Sequence, residues 1–225
     1  MRLPSCSLKT AVAWTGGKDC GLALYEARQA GYVIDRLVTF VPERAEFLAH
    51  PVGFMKAQAA AMNLPHQTMI IHEPFRDGYE RAIRSLNEQY GIEVLVTGDI
   101  AEVEGHPNWI RQCSQGSGVE VVTPLWGRDR SELMSRLIEK KFQIIFSCVK
   151  KPWFTNDWLG KEITLETLQQ LRVIAAETGL DLCGENGEYH TLVLDGPGFN
   201  NPIQMNGYEK QGSGNLMHLQ IEMVQ

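Results

Sequence analysis

Residues 10 to 24 read TAVAWTGGKDCGLAL, and this stretch constrains the chain more than any other. An apolar run from Ala11 to Trp14 reads as a strand. Thr15, Gly16, Gly17 and Lys18 follow it, and then a helical pattern begins. Two adjacent glycines permit a sharp turn and a close backbone approach to a ligand. Backbone N–H groups there, with those at the start of the next helix, can cradle a phosphate. Thr15 adds a hydroxyl and Lys18 a positive charge. Asp19 makes sense beside an anion if it holds Mg²⁺ bridging to phosphate oxygens.

Two better-known phosphate loops are excluded. The nucleoside-triphosphatase loop needs a glycine, four residues and then Gly-Lys-Ser/Thr, which this stretch lacks. The dinucleotide fingerprint needs a third glycine that Gly16-Gly17 does not have at the right spacing.

Composition narrows the class. A chain of 225 residues with 44% hydrophobic content supports one large or two small domains. The formal net charge of −6 argues against a surface built for nucleic acid. Cys6, Cys20, Cys113, Cys148 and Cys183 are scattered, odd in number and never paired as Cys-x-x-Cys. That pattern suggests free thiols in a reducing cytoplasm. No apolar run approaches a membrane span. Met1 to Lys9 reads as too short and too polar for a secretory signal.

Along the first half, residues 19 to 31 read as a helix, with Ala23, Ala27 and Ala30 on one face and Gly31 as its stop. Val33 to Val41 reads as a second strand. Strand, helix and strand with short joins imply a parallel sheet. Pro42 to Pro51 is polar and turn-like and follows a strand beside the first, so it could cover a nucleotide; Glu43, Arg44 and His50 read more readily as surface residues. Pro51 to Met62 is helical, with Met55, Ala59 and Met62 recurring as core. Gln67 to Ile71 is a strand. Residues 76 to 90 form a helix with Ala82, Ile83, Leu86 and Tyr90 inward. Ile92 to Val96 is a strand, followed at once by Thr97-Gly98-Asp99-Ile100. In open parallel sheets ligands sit beyond the carboxyl ends of strands, so Gly98 and Asp99 are candidates for the site or for a plain turn. Glu102, Glu104 and His106 read as solvated rather than as a metal site. His106 to Cys113 starts a helix and Val119 to Val122 closes this half as a strand.

Thr123-Pro-Leu-Trp-Gly127 is a rigid connection. Ser131 to Lys141 reads as a helix, Phe142 to Val149 as a buried strand and 164 to 178 as a helix stopped by Gly179. Lys150 to Phe154 puts two lysines beside aromatics, which suits a nucleotide, an RNA base or an acidic protein as well as a loop packed on the core. Leu182-Cys-Gly-Glu-Asn-Gly-Glu-Tyr189 is the second dense stretch. Its glycines, Gly184 and Gly187, give room for Glu185, Asn186, Glu188 and backbone donors to converge on a ligand. Carboxylates near a phosphate loop suit an amine, ammonium or a second Mg²⁺. They equally suit a tight turn whose carboxylates accept backbone N–H groups. Residues 198 to 225 read as polar and Gly/Asn-rich, with a final strand from Leu216 to Val224.

Thr15-Gly16-Gly17-Lys18-Asp19-Cys20 resembles the pyrophosphate loop of the N-type ATP pyrophosphatases, Ser-Gly-Gly-Lys-Asp-Ser. With Gly98-Asp-Ile100, Pro124-Leu-Trp-Gly127, Cys183 to Tyr189 and Leu194-Asp-Gly-Pro197, the chain resembles the diphthine–ammonia ligase family from about residue 10 to 200. Thr15, Cys20 and Asn186 depart from the family pattern. So does Glu104 to Gln112, where the family often has a Tyr-Gln-Arg-Glu-Arg-Val-like helix.

The resemblance implies an α/β fold: a Rossmann-like parallel sheet with helices on both faces over residues 1–124, plus a smaller C-terminal α/β domain over 125–225. It implies ATP and Mg²⁺, with Thr15, Gly16, Gly17, Lys18, Cys20, Gly98 and Asp99 binding the nucleotide and Asp19 the metal. Lys18, Asp19, Glu185 and Glu188 would be catalytic, and Gly184, Asn186, Gly187 and Tyr189 would bind substrate. The family reaction amidates diphthine on translation elongation factor 2. The acceptor carboxylate is adenylated, pyrophosphate leaves, and ammonia displaces AMP. The implied partners are an acceptor carboxylate on a protein or small molecule and ammonia, without a membrane, and a homodimer is compatible. The alternatives are an enzyme adenylating a different acceptor, small molecule or tRNA, and a non-catalytic ATP-binding module.

Overall fold

The computed structural model describes residues 8–43, 48–102 and 108–223. Cys6, Arg44, Glu104 and His106 lie outside the described residues. In chain order the elements are β1 (Thr10–Ala13), α1 (Lys18–Gln29), β2 (Ile34–Pro42), α2 (Val52–Ala61), β3 (His66–Ile71), α3 (Phe75–Tyr90), β4 (Val94–Val96), α4 (Trp109–Cys113), β5 (Glu120–Val122), α5 (Arg130–Glu139), β6 (Gln143–Lys150), α6 (Leu165–Thr178), β7 (Tyr189–Asp195), β8 (Met205–Ser213) and β9 (Leu216–Met223). Packing divides the described residues into two units. Of the described residues, the first draws on 8–15, 19–43, 64–102 and 108–127, the second on 16–18, 48–63 and 128–223.

The first unit holds a five-stranded parallel sheet in the order β3-β2-β1-β4-β5. Strand β1 is central, with Val12 level with Leu37 on one side and Val96 on the other. The chain leaves β1 toward β2, and later crosses from β3 back to β4. Right-handed crossovers in opposite directions put α1 and α3 on opposite faces. Burial agrees. Ala11, Val38 and Leu95 pack with Ile83 and Leu86 of α3 and Cys113 of α4. The alternate residues Val12, Leu37, Val94 and Val96 are buried as well, so both faces are covered. This is the Rossmann-like arrangement that the resemblance implied. The reversal of direction falls between β1 and β4, the point at which such sheets bind ligands.

Most expected elements lie within two residues of their places. Ala30 lies past the end of α1 and is exposed, where it was expected on the packed face. The helix expected from His106 is described from Trp109, with Asn108 capping it by accepting the Arg111 N–H at 2.7 Å.

The second unit contains an antiparallel sheet in the order β7-β6-β9-β8. Leu133, Met134 and Leu137 of α5 and Leu168 and Leu171 of α6 are buried in it. Phe146, Phe154, Trp158 and Tyr189 form an aromatic cluster with ring centroids 5.0 to 6.4 Å apart. Of the aromatics after Lys150-Lys151, Phe154 and Trp158 therefore serve the core, both buried. Strand β8 was missed in the sequence because its MNGYEKQGS run is polar and carries two glycines. It exists because Ser213 pairs with Leu216 across the two residues Gly214-Asn215, a short hairpin that aligns it with β9.

Ile83 is fully buried where α3 meets the parallel sheet. Replacing it with Ala should lower the unfolding free energy by about 2–5 kcal/mol, read from urea titrations.

Candidate functional site

Glycine 16 ends the loop's approach and begins its turn, with φ at +82°. Its carbonyl accepts the Val193 N–H at 2.9 Å and the Gln58 side-chain amide at 3.0 Å. The same Gln58 amide donates to the Val193 carbonyl at 2.7 Å. Lys18 follows with its backbone N–H on the Thr191 hydroxyl at 3.1 Å. Its ammonium is buried, donates to the Cys183 carbonyl at 2.5 Å and stands 5.3 Å over the Tyr189 ring. A carbonyl dipole and a ring face both favour a buried cation. Residues 16–18 are thus built onto β7 and the turn before it.

That turn is held by Glu188, only 2% exposed. Its carboxylate accepts the Asp181 N–H at 2.9 Å, the Asn186 N–H at 3.0 Å and the Asn186 side-chain amide at 3.3 Å. Asn186 in place of the family's glycine therefore contributes a further donor to Glu188. Asp181 accepts the Cys183 N–H at 2.7 Å and pairs with Arg130 at 3.2 Å. Tyr189, implied by the resemblance as a substrate-binding residue, follows Glu188 at the start of β7. Its hydroxyl donates to the Leu182 carbonyl at 2.7 Å. Gly184 and Gly187 both have positive φ on this turn, and Glu185 is partly exposed on it. Glu185 and Glu188, grouped together from the sequence, thus occupy different surroundings.

In the first unit, Thr15 is exposed and donates to the buried Cys20 sulfur at 3.8 Å. The two departures from the Ser-Gly-Gly-Lys-Asp-Ser pattern face each other. Asp19 lies in the first turn of α1, partly exposed. Gly98 passes so close to this turn that a Cβ there would lie 2.7 Å from the Asp19 carbonyl carbon and 2.8 Å from the Cys20 nitrogen. A glycine is required for that backbone approach. Asp99 accepts the Thr97 hydroxyl and the Asn108 amide, each at 2.6 Å. The structure therefore brings Gly98 against Asp19 and Cys20, and Lys18 against Cys183 and Tyr189.

Sequence reasoning missed four neighbours of the loop: Gln58, Thr191, His50 and His190. His50, read as a surface residue, stacks edge-on to His190 with ring centroids 5.3 Å apart. Its Cε1 is 3.3 Å from where a Gly17 Cβ would sit. Its position next to Pro51, at the entry to α2, was the available signal. Glu43 does lie on the surface, paired with His72 at 3.2 Å.

Among the described residues, no group of three or more His, Cys, Asp and Glu side chains is arranged to hold a metal. Mg²⁺ in a phosphate site needs only one or two carboxylates plus phosphate oxygens. The partly exposed Asp19, next to Lys18 at the start of α1, fits that requirement. Cys20, Cys113, Cys148 and Cys183 are buried free thiols, and burial pushes Cys148 up to about 11.

Two expectations follow. Glu188→Gln would turn an NH₂ group toward backbone N–H donors. It should cost about 1–3 kcal/mol of stability in urea unfolding. Burial first, then the charges of Lys18 and Lys150, lowers the His190 pKa below 6.5. The unfolded chain then takes up the proton before the folded chain does. Stability should fall as pH drops through 6.5, and level off below the folded value. Replacing His190 with Asn should flatten the profile below pH 6.5, measured by thermal unfolding.

Comparison with known proteins places this geometry. Residues 8–121 match the family model of the diphthamide synthase N-terminal domain, and residues 129–225 match that of the diphthamide synthase C-terminal domain. A diphthine–ammonia ligase of Schizosaccharomyces pombe is 25% identical over 92% of this chain, which spans 38% of that relative's length. The Bos taurus diphthine–ammonia ligase is 24% identical over 90% of this chain and 84% of its own. A solved structure described as a predicted subunit of tRNA methyltransferase from Methanocaldococcus jannaschii gives a TM-score of 0.45 at 16% identity, over 83% of this chain and 96% of that one. The chain belongs to the diphthine–ammonia ligase family, whose activity is ATP-dependent amide formation.

Proposed function

We propose that this chain activates an acceptor carboxylate with ATP and converts it to an amide with ammonia. The observation that carries this reading is the place of the Thr15–Cys20 loop. It leaves the carboxyl end of β1 at the reversal point of the parallel sheet and opens α1. Gly16, Gly17 and the first turn of α1 would bind the phosphates, with Thr15, Cys20, Gly98 and Asp99 shaping the nucleotide's surroundings. Such donors stabilise charge on departing pyrophosphate. Lys18 would add its charge, kept in place by the Cys183 carbonyl. Asp19 would hold Mg²⁺, which when bound neutralises phosphate charge.

The acceptor carboxylate attacks the α-phosphorus and pyrophosphate leaves. Ammonia then attacks the acyl carbon, and AMP departs with the bonding pair. Glu185 is assigned to ammonia, since a carboxylate there can orient ammonium and accept its proton. Glu188 is assigned to keeping the turn in shape, supported by its three N–H contacts. Gly184, Asn186, Gly187 and Tyr189 would form the wall around the acceptor, within a substrate-binding part over residues 125–225. The acceptor proposed is diphthine on elongation factor 2, and the compartment is the cytoplasm. Among the described residues no helix is long and apolar enough to cross a membrane.

The test is a product assay with Mg·ATP, ammonium and a diphthine-bearing acceptor. AMP, pyrophosphate and amide should form in equal amounts. Lys18→Ala should weaken Mg·ATP binding. Glu185→Gln should still bind Mg·ATP but form amide slowly. ADP and phosphate as the main products would refute the adenylation chemistry.

A further inference from the structure

The side chain of Gln58 has no place in the readings above. It projects from α2, a helix otherwise rich in alanine and apolar residues, and is fully buried. A buried amide costs stability unless its donors and acceptor are satisfied. Both Nε2 protons go to carbonyls, Gly16 at 3.0 Å and Val193 at 2.7 Å. With two acceptors facing it, this end of the amide must be the NH₂ group. The Oε1 end would lie 2.5 Å from a Cβ at Gly16. That close approach and the positive φ at Gly16 both favour glycine at that position.

The consequence lies in the peptide joining Gly16 to Gly17. A trans peptide is planar, and its C=O and N–H point in opposite directions. The Gly16 carbonyl is held from two sides, by Gln58 and by the Val193 N–H. The Gly17 N–H must therefore point away from Gln58 and Val193. Glycine on both sides of this peptide makes a flip sterically cheap. A flipped peptide would turn the carbonyl oxygen to the face where the N–H now points. An oxygen there repels phosphate, and an N–H attracts it.

We infer that Gln58 is a positioning residue that locks the Gly16–Gly17 peptide with its N–H toward the phosphates. This rests on the proposed binding of ATP at the loop. Gln58 touches no substrate. It acts through the carbonyl it restrains, and Val193 serves as the fixed backbone against which it does so. The effect concerns the phosphate end of the nucleotide and leaves the nucleoside end alone.

The experiment measures binding of Mg·ATP and of adenosine to the full chain carrying Gln58→Met or Gln58→Glu. Gln58→Met keeps the length and removes both donors. Its Mg·ATP affinity should fall on the order of tenfold while adenosine affinity stays level. Gln58→Glu puts an oxygen against two carbonyls and should fall further. Unchanged Mg·ATP affinity in Gln58→Met would overturn the inference. So would parallel loss of Mg·ATP and adenosine, which would make Gln58 a support of the fold alone. Lys18→Ala separates the two layers. If it weakens Mg·ATP binding and Gln58→Met does not, only the role of Gln58 fails. If neither does, the loop is not the phosphate site and both readings fall.

Discussion

Two hydrogen bonds to one carbonyl hold the loop in its shape. The Gly16 oxygen takes the Val193 N–H and the Gln58 amide, and the backbone at Gly16 turns with positive φ to make that possible. Lys18 adds contacts to Thr191 and Cys183, residues more than 160 positions away in sequence. A Gly-Gly turn is flexible by itself, and each contact fixes a rotation that the glycines leave open. The loop's conformation is therefore a property of the 181–193 segment as much as of its own residues.

The same arrangement gives order to the acidic turn. Glu188 gathers the N–H groups of Asp181 and Asn186, and Asp181 in turn holds Cys183 and Arg130. The Cys183 carbonyl then receives the Lys18 ammonium. A buried carboxylate thus acts on a buried lysine through backbone groups rather than by direct pairing. Glu185 lies on the same turn and is partly exposed.

The β1–loop–α1 unit was legible because apolar runs, two glycines and a helical period occur consecutively in the chain. The parallel sheet followed from alternating strands and helices, and the family from motifs whose order spans most of the sequence. Gln58 and Thr191 were not legible. Their roles rest on hydrogen bonds across long sequence separations, which leave no period or spacing to read. His50 looked like a loop residue because its polar neighbours suggested solvent, while its ring packs edge-on to His190. Strand β8 was hidden by its polar composition, although Gly214-Asn215 offered a hairpin signal. For Glu188 the sequence allowed two roles, and burial with three N–H contacts distinguishes it from Glu185.

The central claim is that residues 16–18 and the 182–193 segment behave as one mechanical piece. Amide hydrogen exchange with and without Mg·ATP tests it most directly, since exchange reports local opening along the backbone. The account predicts slower exchange on nucleotide binding both in residues 16–18 and in residues 182–193. Slowing confined to residues 16–18, with 182–193 unaffected, would contradict it.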